Sequence, residues 1–157
     1  MMTIEAAATT DRGTSTGPGR PPPVLVIDDD PVGSATTVAW LVDARYPTVA
    51  ESDGDAVLRL VRARAMRLVV SELYIPCAEG LCVVTALKQD RTRLPRLRIL
   101  VQTRHIGADD DAWALATGCD AVLHKPTLAA ALIREVQRLD GLEPLEPAHG
   151  DDPGSRL

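Results

Sequence analysis

Five short apolar runs, separated by stretches with helical periodicity, restrict the fold of this 157-residue sequence more than any other feature. The runs lie at residues 24–27, 48–50, 68–70, 97–101 and 121–123. Each is short enough to be a strand, and the first, Val-Leu-Val-Ile, is continuously apolar, as in a strand covered on both faces. The alternation of strands with helices predicts an α/β fold with a doubly wound, five-stranded parallel sheet.

The segments between the apolar runs carry helical signals. Asp30 is a favourable N-cap and Pro31 suits the first helical position, so a helix is predicted to begin there. Near the end of the pattern, Thr127 is predicted to cap a helix with a single apolar stripe. The remaining helices are predicted over about residues 55–64, 81–89 and 109–117.

The two ends of the chain differ from this core in composition. Thr9 to Pro23 consists of Thr, Ser, Gly, Pro, Asp and Arg, and Gly141 to Leu157 is rich in Pro, Gly and acidic residues. Such segments bury too little apolar surface to offset the conformational entropy lost on ordering. We therefore predict a disordered leader over 1–22, one domain over 23–140 and a disordered tail over 141–157.

Composition excludes several classes of protein. The net charge of −5 offers no broad basic surface for nucleic acid. The sequence has neither an apolar run of membrane-spanning length nor a secretory signal, so a cytoplasmic location without membrane contact is predicted. Cys77, Cys82 and Cys119 are odd in number and form no CxxC pair, which indicates reduced core or loop residues rather than disulfides or a zinc site.

Polar side chains directly follow four of the five predicted strands. They are Asp28 and Asp29 after the first strand, Glu72 after the third, Thr103 after the fourth and Lys125 after the fifth. Because the carboxyl ends of parallel strands meet at one edge, these side chains are expected to converge. Carboxylates suit Mg2+, whereas an ammonium and a hydroxyl suit anionic oxygens. The pattern therefore indicates a site for a metal, a phosphoryl group or both.

These residues resemble the receiver domain of bacterial two-component response regulators, the chemotaxis-type module, over about residues 24–139. The resemblance rests on Val-Leu-Val-Ile-Asp-Asp-Asp-Pro at 24–31, Leu-Val-Val-Ser-Glu-Leu-Tyr-Ile-Pro at 68–76 with Gly80, Thr103, and Lys125-Pro126. It implies a flavodoxin-like strand order and a stand-alone response regulator in phosphorelay signalling, not an enzyme. Its implied partners are a histidine kinase or a downstream effector, with a homodimer left open.

The resemblance also implies roles for individual residues. Asp28 and Asp29 match the acidic pair that binds Mg2+, Asp29 directly and Asp28 mostly through water. The backbone carbonyl of Tyr74 matches the third protein ligand of the metal. Thr103 and Lys125 match the hydroxyl and the ammonium that hold phosphoryl oxygens.

Glu72 departs from the family pattern, because it stands four residues before Pro76, where the family has the aspartate that accepts phosphate. Misplacing an attacking oxygen by about 1 Å can cost about a hundredfold in rate. We expect Glu72 to extend toward Lys125 as a built-in mimic of the phosphorylated state, with Mg2+ binding weak or absent and signalling independent of phosphorylation. The alternative is a receiver that still undergoes Mg2+-dependent phosphorylation on Glu72 or another residue.

Three further positions lie near the expected site. Val122 stands where the family has a Tyr or Phe whose rotation reports phosphorylation. His105, two residues after Thr103, is expected simply to point to solvent, and Ser71 is expected to face away from the pocket because strand side chains alternate. A nucleotide-binding enzyme on the same type of sheet is disfavoured because the first β-α turn has neither GxGxxG nor GxxxxGK[ST].

A basic stretch interrupts the otherwise acidic chain. It comprises Lys88, Arg91, Arg93, Arg96 and Arg98. Such a stretch could dock an acidic partner, but charge runs between elements are more often solvated linkers. The solvated linker is therefore the favoured expectation.

Overall fold

The computed structural model describes residues 23–64, 66–105 and 107–141. Within these ranges five strands alternate with five α-helices and one short 3-10 helix. No helix in the described part of the chain combines the length and the apolar character needed to cross a membrane. The predicted leader, and the predicted tail beyond Gly141, lie outside the described residues, so both stay predictions.

The elements follow the predicted alternation closely. The strands are β1 Val24–Ile27, β2 Thr48–Glu51, β3 Leu68–Ser71, β4 Arg98–Thr103 and β5 Ala121–His124. The helices are α1 Pro31–Asp43, α2 Gly54–Arg64, η1 Ala78–Gly80, α3 Val83–Asp90, α4 Ala108–Ala116 and α5 Ala129–Asp140. All strand pairs are parallel and the order is β2-β1-β3-β4-β5, so the predicted doubly wound α/β sheet with flavodoxin-like order is confirmed.

Helices cover the sheet on both faces. Leu25 and Ile27 of β1 pack with buried residues of α2 and α3, whereas Val24 and Val26 pack with those of α1 and α5. Because successive strand side chains point to opposite faces, a strand buried on both faces must be apolar at every position. Full burial of one large aliphatic side chain contributes roughly 1.5–3 kcal/mol, so the two layers hold the strand ends firmly in place.

The first helix begins as predicted, but the last does not. Asp30 caps α1, because its Oδ1 accepts a hydrogen bond from the backbone N–H of Val32 at 3.2 Å. The prediction that Thr127 caps the last helix is wrong, since Leu128 occupies the N-cap position of α5. The hydroxyl of Thr127 instead donates to the carbonyl oxygen of His124 at 3.2 Å, which takes it away from the helix.

The basic stretch is only partly a solvated linker, which corrects the expectation. Arg98 begins β4 and is 3% exposed, and its Nη1 donates to the carbonyl oxygen of Pro95 at 3.1 Å. Burial lowers the pKa of the Arg98 guanidinium. Arg91 forms a short ion pair with Asp120. The linker interpretation is wrong for Arg98 because this residue also falls in the predicted strand at 97–101, which is buried in the sheet.

Candidate functional site

The carboxyl edge of the sheet brings three of the predicted site residues into contact. Lys125, just after β5, lies between Asp28, just after β1, and Glu72, just after β3. The Lys125 Nζ donates to Asp28 Oδ2 at 2.6 Å and to Glu72 Oε2 at 3.3 Å. These partners are 97 and 53 residues away in sequence, so the parallel sheet alone explains the convergence.

Lys125 is held by the end of the sheet. Its backbone N–H donates to the carbonyl oxygen of Thr103 at 2.8 Å, which continues the β4–β5 pairing one step beyond β5. The peptide bond to Pro126 is cis. The Lys125 side chain is 14% exposed, so its ammonium is largely removed from water and depends on the two carboxylates for compensation.

Asp28 is a buried carboxylate with a partner on each oxygen. Its Oδ1 accepts a hydrogen bond from the backbone N–H of Asp30 at 2.9 Å, and its Oδ2 accepts from Lys125. Gly33, in the first turn of α1, leaves this pair room, because a Cβ there would lie 3.0 Å from Asp28 Oδ2. The start of α1 can therefore approach the site closely.

Glu72, like Asp28, accepts a hydrogen bond on each of its carboxylate oxygens. Its backbone N–H donates to the carbonyl oxygen of Ile27 at 2.9 Å, which ties the residue to the end of β1. Its Oε1 accepts from the backbone N–H of Leu73 at 2.8 Å, while Oε2 accepts from Lys125. With a side-chain exposure of 7%, the carboxylate is closed off, and both of its oxygens are engaged within the protein.

The carboxylates of this edge do not fit Mg2+ in the arrangement observed. Asp28 and Glu72 both bond to the Lys125 ammonium, and the neighbouring Asp29 is exposed. Within the described ranges, no group of three His, Cys, Asp or Glu side chains could hold a metal ion. Mg2+ binding by the predicted set, which also includes the carbonyl of Tyr74, stays a prediction.

Thr103 lies at the end of β4, completely buried. Its Oγ1 accepts a hydrogen bond from the backbone N–H of His105 at 3.1 Å, so the hydroxyl is engaged by the β4–α4 loop. Ser71 is also buried, and its hydroxyl donates to the carbonyl oxygen of Glu72 at 2.7 Å. Both hydroxyl groups thus have local hydrogen-bonding partners, and the role of Thr103 in holding a phosphoryl oxygen stays a prediction.

An aromatic cluster beside the site was missed by the sequence analysis, which gave Tyr74 only a backbone role. The Tyr74 hydroxyl donates to Asp110 Oδ1 at 2.6 Å, and this hydrogen bond raises the pKa of Tyr74. The Tyr74 ring meets His105 edge-on at 4.7 Å between centroids, and Trp113 at 5.2 Å. His105 is exposed as expected, yet it also has this ring contact. The cluster draws on three separate segments, so no spacing in the sequence indicates it.

Comparison with known proteins agrees with this fold. Residues 24–137 match the sequence model of the family described as the response regulator receiver domain. The transcriptional regulatory protein PrrA of Mycobacterium tuberculosis is 30% identical over 118 residues, covering 75% of this chain and 49% of that protein. The sensor protein GacS of Pseudomonas syringae is 28% identical over 134 residues, covering 82% of this chain and 14% of that protein. The chain thus spans about half of PrrA and far less of GacS.

Solved structures show the same fold. The receiver domain of the sensor histidine kinase PA1611 of Pseudomonas aeruginosa, solved with a magnesium ion in its active site cleft, superposes with a TM-score of 0.69. It is 22% identical, with 78% of this chain and 99% of that chain covered. The chemotaxis response regulator CheY4 of Vibrio cholerae gives a TM-score of 0.65 at 24% identity, with 75% and 98% covered.

Proposed function

This chain belongs to the response regulator receiver domain family, and on that premise we propose that it signals with its pocket held in one state by Glu72. Members of this family are signalling modules of two-component systems. The chain would act as a stand-alone cytoplasmic domain that contacts a histidine kinase or an effector protein, either alone or as a homodimer. The observation that carries the proposal is the bonding of the Lys125 ammonium to both Glu72 and Asp28.

Glu72 would stand at the phosphoacceptor position and supply part of the charge that an aspartyl phosphate brings there. A unit charge pair near 4 Å attracts by about 4 kcal/mol at an effective dielectric of 20, before the cost of desolvation. Because both oxygens of Glu72 already accept hydrogen bonds, its carboxylate is poorly placed to attack a phosphodonor. The pocket would therefore be occupied permanently rather than toggled.

Val122 supports the same proposal. It lies in the middle of β5, partly buried against the core layer that also contains Leu25 and Ile27. A branched aliphatic side chain has no ring that could swing between a buried and an exposed position. In this proposal the domain therefore lacks the rotating aromatic that reports phosphorylation in its relatives, and it signals through contacts of a single conformation.

The alternative is a receiver that remains competent in phosphotransfer, with Mg2+-dependent phosphorylation of Glu72 or another residue. It is favoured by the position of Asp28 and Lys125, which lie together at the strand ends where a phosphoryl group would be held. The two proposals differ in whether the wild-type protein has a residue that accepts phosphate. Replacing Glu72 by aspartate addresses that difference directly.

The experiment compares the wild type, Glu72→Asp and the control Glu135→Asp, at a half-buried glutamate of α5 that pairs with Arg138, after incubation with Mg2+ and acetyl phosphate. Intact mass spectrometry then measures any acid-labile phosphoryl adduct. We expect no adduct on the wild type or the control, and an adduct on Glu72→Asp if the remaining machinery is intact. Robust labelling of the wild type would overturn the proposal in favour of the alternative.

A second readout uses tryptophan fluorescence in proteins that carry Trp40→Phe, so that the emission comes from Trp113, which contacts Tyr74 beside the pocket. Beryllofluoride with Mg2+ mimics a phosphoryl group and should leave the wild-type emission unchanged. The same addition should shift the emission of Glu72→Asp. A large shift in the wild type would contradict a permanently occupied pocket.

A further inference from the structure

The amino edge of the sheet, opposite the pocket, carries a concentration of arginine. Two loops lead into β3 and β4, and they lie side by side because the backbone N–H of Arg98 donates to the carbonyl oxygen of Arg67 at 2.8 Å. The helices that precede them, α2 and α3, are joined by a hydrogen-bonded ion pair between Arg62 and Asp90 at 2.9 Å. We call the surface formed by the last turn of α2 and these two loops the arginine edge, consisting of Arg62, Arg64, Arg67, Arg91, Arg93 and Arg96.

Half of these arginines are neutralised within the domain. The pairs are Arg62–Asp90 at 2.9 Å, Arg67–Asp140 at 3.7 Å and the short pair Arg91–Asp120. Arg64, Arg93 and Arg96 are exposed, and their guanidinium groups bond to no acceptor in the described part of the chain. Three arginines without an ion-pair partner in the described residues thus belong to two neighbouring segments of a chain whose net charge is −5.

A groove beside the arginine edge narrows the choice of ligand. It lies between α2 and α3, has a volume of about 350 Å3 and is lined by Leu58, Arg59, Arg62, Leu81 and Gln89 among others. The lining combines the apolar residues Leu58, Leu81 and Ala86 with Arg59 and Arg62. It also includes Asp55, whose Oδ1 already accepts a hydrogen bond from the backbone N–H of Ala78 at 2.9 Å. Arg62 belongs both to this lining and to the arginine edge, so the two surfaces are continuous.

We propose that the arginine edge and the adjoining groove dock an acidic, partly apolar segment of a partner protein. Guanidinium groups bind carboxylates through paired hydrogen bonds, and the groove offers an apolar side chain a place to be buried. Residues 59–67 and 90–98, which cover the end of α2, the end of α3 and the loops that follow them, contain no aromatic residue on which a nucleic acid base could stack. A flat lipid surface would leave the groove unused, so an acidic peptide segment fits both features best.

The test measures binding of the full chain to a labelled synthetic peptide of alternating glutamate and leucine by fluorescence anisotropy at low salt. Arg93→Glu and Arg96→Glu are compared with Arg134→Glu, an exposed arginine of α5 on the other face. Each variant changes the net charge by the same amount. We expect each edge variant to weaken binding about fivefold or more, with less than about a twofold change for the control.

Three outcomes would overturn the proposal. The first is equal weakening by Arg134→Glu, which would show a response to net charge alone. The second is tighter binding of a short DNA duplex or of phosphatidylserine vesicles than of the peptide. The third is binding that emerges only when Glu143, Glu146, Asp151 and Asp152 are neutralised together, since the chain's own acidic residues would then be the occupant.

Discussion

Each edge of the sheet has one charged group close to two groups of the opposite charge, and the signs are reversed between the two edges. At the carboxyl edge one ammonium, Lys125, lies between two buried carboxylates, Asp28 and Glu72. At the amino edge the carboxylate of Asp120 pairs with Arg91 and accepts a hydrogen bond from the backbone N–H of Ile99 at 2.7 Å. Burial lowers the pKa of the nearby Arg98, and the charge of Asp120 opposes that shift.

The two edges differ in whether charged groups remain without a bonded partner inside the domain. At the carboxyl edge both oxygens of Glu72 and both oxygens of Asp28 are engaged inside the domain. At the amino edge three exposed arginines stay without a bonded acceptor in the described residues. A charged site that is internally complete suits a fixed state, whereas one with surplus charge suits a partner. At each edge one group of opposite charge holds the arrangement together: Lys125 at the carboxyl edge and Asp120 at the amino edge.

The largest expected effect comes from removing the Lys125 charge at the carboxyl edge. Lys125→Met should lower the free energy of unfolding by about 3 kcal/mol, because it leaves two buried carboxylates facing each other without compensation. Urea denaturation near neutral pH measures the change. A loss below about 1 kcal/mol would show that the carboxylates are hydrated and that the edge is more open than the structure indicates.

The double variant Lys125→Met/Glu72→Gln is the matched control for that measurement. It leaves Asp28 as the single charged member of the trio, so part of the lost stability should return. The coupling between the two substitutions then reports their interaction, which is typically 0.5–3 kcal/mol for residues in contact. Strict additivity would show that Glu72 and Lys125 do not interact appreciably.

A smaller effect is expected at the amino edge. Asp120→Asn should cost about 2 kcal/mol, because it removes the compensating charge beside Arg91 and Arg98 but keeps an acceptor for the Ile99 N–H. Thermal or urea unfolding measures it, with Glu135→Gln, which removes an i,i+3 ion pair with Arg138 on α5, as control. An effect larger than that of Lys125→Met would reverse the ranking of the two edges.

The fold was accessible from the sequence because its strongest signals are local. Val24–Ile27 and Leu68–Ser71 are continuously apolar or nearly so, and strands covered on both faces require that pattern. Asp30 and Pro31 marked the start of α1 for reasons contained in two neighbouring residues. Polar residues after four of the five strands predicted the meeting of Asp28, Glu72 and Lys125, since the parallel sheet fixes where strand ends lie.

What the sequence did not indicate depends on contacts between distant segments. Arg98 falls both in a charge run and in the predicted strand at 97–101, and only its pairing with β3 shows that the strand position prevails and buries it. Tyr74, His105 and Trp113 come together because three loops and helices meet at one place. Thr127 has a favourable capping side chain, yet its hydroxyl donates to a carbonyl oxygen behind it. Local propensity cannot decide between such competing partners.

Cys119 offers the finest measure of the amino edge, because it directly precedes Asp120. Burial raises the pKa of its thiol from 9.0 to about 11, and the charge of Asp120 adds to that rise. At about pH 8 the folded protein should therefore hold about a hundredfold less Cys119 thiolate than the urea-unfolded chain. Alkylation by iodoacetamide, followed residue by residue with peptide mass mapping, should be slowed accordingly, and comparable rates in both states would show that this edge is open.

The same shift makes stability depend on pH in a defined direction. Since the folded state holds the Cys119 proton more tightly than the unfolded state, the resulting stabilisation is fully present below about pH 9 and is lost as the pH rises toward about 11. The Cys119→Ala variant lacks this contribution but retains the other groups that titrate at high pH. In urea unfolding across this range, the free energy of unfolding should therefore fall more steeply with pH in the wild type than in Cys119→Ala. An equally steep fall in both proteins would mean that the amino edge around Asp120 and Arg91 is more hydrated than the carboxyl edge around Asp28 and Glu72.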